Sequence, residues 1–334
     1  GYGGTALAHL KDLAIVGPYG ATGVSDTPAR KRIFTCRPTS PDEARPCAQR
    51  IVTRLGTRAY RRPLSPDDVE GLMSFYDLGE SDAGFERGVR TALEAMLASP
   101  DFVFRFEEPT GAVVPGQRYR INDLALASRL SFFLWSTGPD EELLRTAADG
   151  RLTNPGVLER QVARMLEDPR AAALATRFAQ QWLRLQDAAK NQPEPFFYPD
   201  FTGQLRADMV RETELFFDHL VREDRSFLEL FDADYSFMNE RLARHYGIPG
   251  VSGDEFRRVR YPDDTRRGVM GHGSVLLLTS MSDRTSPVLR GKWVMEVLMG
   301  TPPPPPPPNV PAFELTESVA DGRRLTTRER MERH

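Results

Sequence analysis

Cysteine is almost absent. Only Cys36 and Cys47 occur in 334 residues, and their spacing matches neither a C-x-x-C redox pair nor a four-ligand zinc site. Two near neighbours in an otherwise cysteine-free chain fit a disulfide, which would close a short loop, contribute on the order of 2–3 kcal/mol and require an oxidising compartment. Two unpaired buried thiols fit the same residues. Histidine is sparse as well: His9, His219, His245, His272 and His334 include no H-E-x-x-H and no pair four apart, so no protein-only metal site is visible. Neither sign of charge dominates. The 44 Lys and Arg against 47 Asp and Glu give a net charge of −3, which leaves no basic field to attract nucleic acid or an anionic membrane surface. No apolar run approaches the roughly 18–20 residues of a transmembrane segment. The chain opens GYGGTALAHL, with neither Met nor a charged region followed by an apolar one, and that leaves the compartment open.

What is present reads as mainly α: several packed helical bundles, with a short β/coil segment at the N-terminus and a polyproline strap near the C-terminus. With 40% hydrophobic residues over this length, the chain can bury more than one core. Residues 1–40 mix Gly, Pro, Ser and Thr with the β-prone pieces Leu13–Val16 and Arg32–Thr35, and suggest the end of a β-rich domain plus a linker. A three-helix unit is expected over 41–110, started by Ser40-Pro41 and again by Ser65-Pro66-Asp67-Asp68, where a capping side chain precedes proline at the first helical position. A larger helical unit spans 117–250. It includes a long alanine-rich helix opened by Pro169, an amphipathic helix over 205–221, and a short helix from about Ser236 to Tyr246 stopped by Gly247. A third unit covers 259–334: an apolar stretch from Gly268 to Ser280 that reads as strand or short helix, a helix from Ser286-Pro287 to Met299, seven prolines at 302–308, and a charged helix starting at Thr327. The prolines lock φ and donate no hydrogen bond, so they form a stiff extended connector; a proline tract for an aromatic groove of another protein is the other reading.

Several patterns imitate functional motifs and fail on chemistry. LAIVGPYGATG, Leu13 to Gly23, resembles a dinucleotide-binding turn, but Pro28 and an aperiodic segment follow where a helix must open on the phosphates. Asp232, Asp234 and Ser236 alternate like the first calcium ligands, yet Phe237 and Ala243 occupy the positions that need Gly and Glu. His272 lies close to Ser274 without a G-x-S-x-G elbow. The pairs Asp218/Glu223 and Glu212/Glu214 read as a solvated face of a charged amphipathic helix rather than an acid/base pair. The densest unusual stretch is DRTSPVLRGKW. There Arg284, Arg290 and Lys292 surround a helix start, an arrangement suited to an anion such as a carboxylate or haem propionate and equally to structural ion pairs.

Long segments of the chain resemble a family. CAQRIVTRLGTRAYRRPLSPDD, FERGVRTALEAMLASPDFVFRFE, LASRLSFFLWSTGPDEELL, DADYSFMNERLARHYG and RRGVMGHGSVLLLTSMSDRTSPVLRGKWVMEVLMGTPPPPPPPNVP are similar to the planctomycete-type multidomain c-type cytochrome proteins, linked domains of mostly unknown function accompanied by haem modules. The resemblance implies that the stretch Arg328 to His334 is followed by C-x-x-C-H, so covalent c-type haem is expected in a longer parent protein and no cofactor within these residues. It also implies a Cys36–Cys47 disulfide and export to the periplasm or cell surface. Arg284, Arg290, Lys292 and His272 become candidates for contact with haem, although His272 stands where relatives usually carry another residue. On this basis the chain reads as the helical body of an exported, c-type-cytochrome-associated protein related to redox or electron transfer. Its expected partners are an electron-transfer protein or a downstream haem domain, with no nucleic acid and no membrane span; the oligomeric state and any catalytic residue stay unassigned. A haem-coupled oxidoreductase acting on a carbohydrate or alcohol-like substrate is the alternative, and an interaction module without catalysis the third reading.

Overall fold

A computed structural model describes residues 14–17, 19, 27–107, 109–304 and 329. Helices dominate, and among the described residues the one sheet is a two-stranded pair. The chain divides into two compact units, residues 1–128 with 138–152, and residues 129–137 with 153–334.

In the first unit, Thr27 and Pro28 begin a short helix, α1 (Pro28–Ile33), with Thr27 Oγ1 accepting from the Arg30 amide at 3.2 Å. This corrects the β-prone reading of Arg32–Thr35: a cap followed by proline at the first helical position decided the local structure. Residues 14–17 form no strand. The remainder of the glycine-rich Leu13–Gly23 stretch, apart from Tyr19, lies outside the described residues. The helices α2 (Pro41–Tyr60), α3 (Pro66–Ala83) and α4 (Phe85–Ala98) form the main bundle around Ile51, Val52, Met73, Tyr76, Val89 and Met96. Ser65 and Asp68 complete a reciprocal capping box at the start of α3. Two glycines permit the close approach of α3 and α4: a Cβ on Gly88 would stand 2.7 Å from the Tyr76 ring, and one on Gly79 would meet the Arg87 carbonyl at the same distance. Cys36 and Cys47 are joined in a disulfide, with Cα atoms 5.9 Å apart, that ties the segment before α2 to its buried side. Then come α5 (Pro100–Val103), α6 (Asp123–Trp135), whose last turns belong to the second unit, and α7 (Glu141–Ala148).

The second unit begins with the end of α6 and α8 (Val157–Glu167), where Trp135 Nε1 donates to the Met165 carbonyl at 2.9 Å. The expected alanine-rich helix from Pro169 is instead broken. A 3₁₀ turn (Pro169–Ala172), a π-helical stretch (Leu174–Ala179), the brief α9 (Gln180–Trp182) and another 3₁₀ turn (Leu185–Ala189) succeed one another, with Arg184 left-handed at φ 57°. Tertiary hydrogen bonding overrides propensity there, since the Leu183 carbonyl accepts from Trp293 Nε1 at 3.2 Å and Trp182 Nε1 donates to Val297 at 3.1 Å. The long α10 (Gly203–Arg222) follows, then α11 (Glu229–Asp232).

The segment after α11 is also corrected. Tyr235–Met238 is a strand, β1, and α12 (Glu240–Tyr246) starts only at the Asn239 cap, whose Oδ1 accepts from the Leu242 amide at 3.0 Å. β1 pairs antiparallel with β2 (Arg257–Arg260), Ser236 opposite Val259. The ambiguous Gly268–Ser280 stretch resolves into a 3₁₀ turn (Val269–Gly271) and α13 (Gly273–Leu278), and α14 (Pro287–Trp293) runs on as a π-helical segment to Leu298. Phe216 of α10, Tyr235 of β1, Val275 of α13 and Trp293 of α14 share one core. Most of the proline run and nearly all of the expected helix from Thr327 lie outside the described residues.

Candidate functional site

Helix α10 carries hydrophobic residues on the face that packs against β1, α12 and α13, and polar residues, Asp208, Glu212 and Thr213 among them, interrupt that face. Glu212 has no exposed surface and Thr213 almost none. A buried carboxyl is tolerated only when its oxygens are bonded, and here both are. Ser236, from β1, donates to Oε1 at 2.7 Å, and Tyr246, at the end of α12, donates to Oε2 at 2.5 Å. The Tyr246 hydroxyl in turn accepts from the amide of Gly273, the first residue of α13, at 2.6 Å. Glycine is needed at that position, because a Cβ would lie 2.8 Å from both the Tyr246 hydroxyl and Met209 Cγ.

The cluster continues into the core. His272 Nε2 lies 3.3 Å from Ser236 Oγ and Nδ1 lies 2.9 Å from Thr213 Oγ1, which is 2.7 Å from Ser274 Oγ. With Glu212 ionised, one assignment of protons satisfies the line: Ser274 donates to Thr213, Thr213 to His272 Nδ1, His272 Nε2–H to Ser236, and Ser236 to Glu212. A proton on Glu212 Oε1 reverses every donor in that line without moving a heavy atom. Burial governs the titration. It pushes the Glu212 carboxyl up to about 7, against the opposing hydrogen bonds from Tyr246 and Ser236 and the positive charge of Arg266. Burial, helped by Arg266, holds His272 down at about 3, so its imidazole stays neutral. The Tyr261 hydroxyl is raised by burial and by the neighbouring Glu212 charge, and it has no hydrogen-bond partner of good geometry.

A cavity of about 390 Å³ reaches this cluster, since Tyr246, Gly273 and Arg266 belong to its lining together with Phe197, Tyr198, Phe201 and His245. The Arg266 guanidinium lies 3.9 Å from the centre of the Tyr246 ring. A cavity of about 530 Å³ lies elsewhere along α10, but the two carboxylates in its lining are already paired, Asp208 with Arg241 and Glu214 with Arg211. The smaller cavity therefore reaches, through Tyr246 and Gly273, the bonding partners of a carboxyl raised towards neutrality, an arrangement found at proton-handling sites.

The candidates from the sequence distribute differently. Arg284 bonds to Asp283, Lys292 pairs with Glu296, and Arg290 bonds to the hydroxyls of Thr279 and Thr285. None of the three belongs to the His272 cluster. His272 itself is fully buried, with both ring nitrogens hydrogen-bonded and its ring edge-on to Phe216 at 4.9 Å. Its ring nitrogens are engaged within the chain by Thr213 and Ser236. Among the described residues no group of three or more His, Cys, Asp or Glu could hold a metal ion. Asp234 pairs with Arg260 at the surface while Ser236 points inward to Glu212. Asp218 is bonded to Arg222, as a solvated helix face requires. Glu212 was misread: its sequence context is a charged helix, and only the 3.6-residue register with Met209 and Phe216 places it on the buried side.

Three family models match the chain in succession. Residues 47–107 match PSD5, a protein of unknown function (DUF1595); residues 121–248 match PSD4, a protein of unknown function (DUF1592); residues 266–334 match PSCyt3, a protein of unknown function (DUF1588). The combination defines a class of cytochrome c-associated domain proteins. This chain belongs to the planctomycete cytochrome c-associated family made up of these domains. No curated protein and no solved structure matches it. Glu212, Thr213, Ser236 and Tyr246 fall within the PSD4 match, whereas Arg266, His272, Gly273 and Ser274 fall within the PSCyt3 match, so two domains of unknown function contribute to one buried cluster.

Proposed function

We propose that the chain is the helical body of an exported redox protein, acting with a c-type haem carried outside the described residues. The observation that supports this beyond family membership is Glu212. A scaffold gains nothing from a fully buried carboxyl that changes protonation state near pH 7, and such groups are costly to keep; a site that exchanges protons with a reaction uses one. The disulfide supports export to the periplasm or cell surface, because such bonds persist in oxidising compartments. Electron transfer to a partner or to a downstream haem domain is the activity this reading assigns.

A second reading, an oxidoreductase that takes electrons from a carbohydrate or alcohol-like substrate, is favoured by the aromatic-walled cavity beside Tyr246. In it Glu212, through Tyr246, receives the proton released at the cavity. Expression of the complete gene product in a host that exports proteins and attaches haem tests both. Covalent haem in the absorption spectrum is expected, and its absence overturns the redox reading. Reduction of that haem in a screen of sugars and alcohols is expected under the second reading, and reduction by none of them overturns it.

A further inference from the structure

Arg266 carries a charge that Glu212 offsets only when it is ionised. Its guanidinium is half-buried and stacked on Tyr246, one N–H donates to the Gly271 carbonyl at 2.7 Å, and it has no carboxylate partner among the described residues. Guanidinium carries five donors in a fixed fork suited to a carboxylate, so most of that capacity is unspent. The cavity beside it is walled by aromatic rings from the 197–201 loop and by Tyr246, and its volume suits a compound of one or two rings. Asp200, the acid in the described lining, is exposed and makes no hydrogen bond to Arg266. His245, also in the lining, is held below the ordinary histidine range by burial and by Arg266, and adds no positive charge at neutral pH.

We propose that this cavity binds a small ring compound bearing a carboxylate, the ring packed among Phe197, Tyr198 and Phe201 and the carboxylate received by Arg266. The site does not depend on haem and would bind its ligand in a protein without any redox role. Glu212 makes occupancy depend on pH. The groups facing it are Ser236 and Tyr261 from the strand region, Tyr246 from α12, the Gly273 amide and His272 from the α13 segment, and Arg266. Of these, His272 is neutral throughout the working range, while the tyrosines stay protonated. An ionised Glu212 offsets the Arg266 charge that the ligand needs, so affinity for the acid falls as pH rises through neutrality.

Calorimetric titration of the whole chain with benzoate and with glucuronate, each beside its neutral counterpart, benzyl alcohol or glucose, tests the assignment. At least one acid is expected to bind tenfold or more tightly than its counterpart, and which one it is separates an aryl acid from an acid sugar. Arg266→Gln is expected to abolish the preference and Arg266→Lys to restore part of it, both with wild-type circular dichroism. Between pH 6 and 8 the wild-type affinity for the acid should fall severalfold, and Glu212→Gln should flatten that fall. Equal binding of acids and neutral counterparts, or a folded Arg266→Gln protein that keeps the preference, overturns the proposal.

Discussion

Glu212 and His272 oppose each other in their effect on stability. An acid whose folded value is raised to about 7 keeps its proton in the folded state while the unfolded chain loses it, so its contribution is fully present below the unfolded value and is lost as pH rises towards 7. A histidine held at about 3 stays neutral when folded while the unfolded chain gains a proton below about 6.5, so stability is lost as pH falls through that range. Between about pH 4.5 and 6.5 each contributes a slope of about 1.4 kcal/mol per pH unit, of opposite sign. Urea denaturation across this window is expected to give nearly constant stability in the wild type, a decline towards acid in Glu212→Gln, and a decline towards neutrality in His272→Gln. Parallel curves for all three proteins would show that neither group is shifted. At the same scale, Asn239→Ala removes the cap of α12 and should cost about 1 kcal/mol, read from the same denaturation midpoints.

The elements show how far sequence reasoning reaches. The start of α3 was legible because Ser65-Pro66-Asp67-Asp68 encodes a complete cap within four residues, and the amphipathic period of α10 was legible because twenty residues repeat it. The break at Arg184 was not, since it depends on the indole of Trp293 more than a hundred residues away. Nor was β1, whose partner RRVR carries three arginines and reads as solvated coil. The buried cluster followed the same rule. His272 and Ser274 drew attention as a local pair, whereas Glu212, Ser236 and Tyr246 meet only through the packing of α10, β1 and α12. Two element-level outcomes are expected. Replacing both Cys36 and Cys47 by Ala should lower the stability of the first unit by about 2–3 kcal/mol, seen as a reduced melting temperature in calorimetry. Gly88→Ala forces α3 and α4 apart at Tyr76 and should cost about 1–3 kcal/mol, with loss of near-ultraviolet circular dichroism at the tyrosine band.

Across the whole molecule, the domains divide their work unevenly. The first unit has a continuous core stapled by its disulfide. The second spreads its hydrophobic residues around a polar line from Ser274 to Glu212 that ends at a cavity lined by Tyr246 and Arg266. Buried polar lines cost stability unless every member is bonded, and this one draws its members from both the PSD4 and the PSCyt3 matches. An infrared titration of the carboxyl C=O stretch, comparing wild type with Glu212→Gln, measures the decisive property directly. A protonated-carboxyl band that fades with a midpoint near pH 7 and is missing from the variant is predicted. A Glu212 carboxyl already ionised at pH 5 would contradict it.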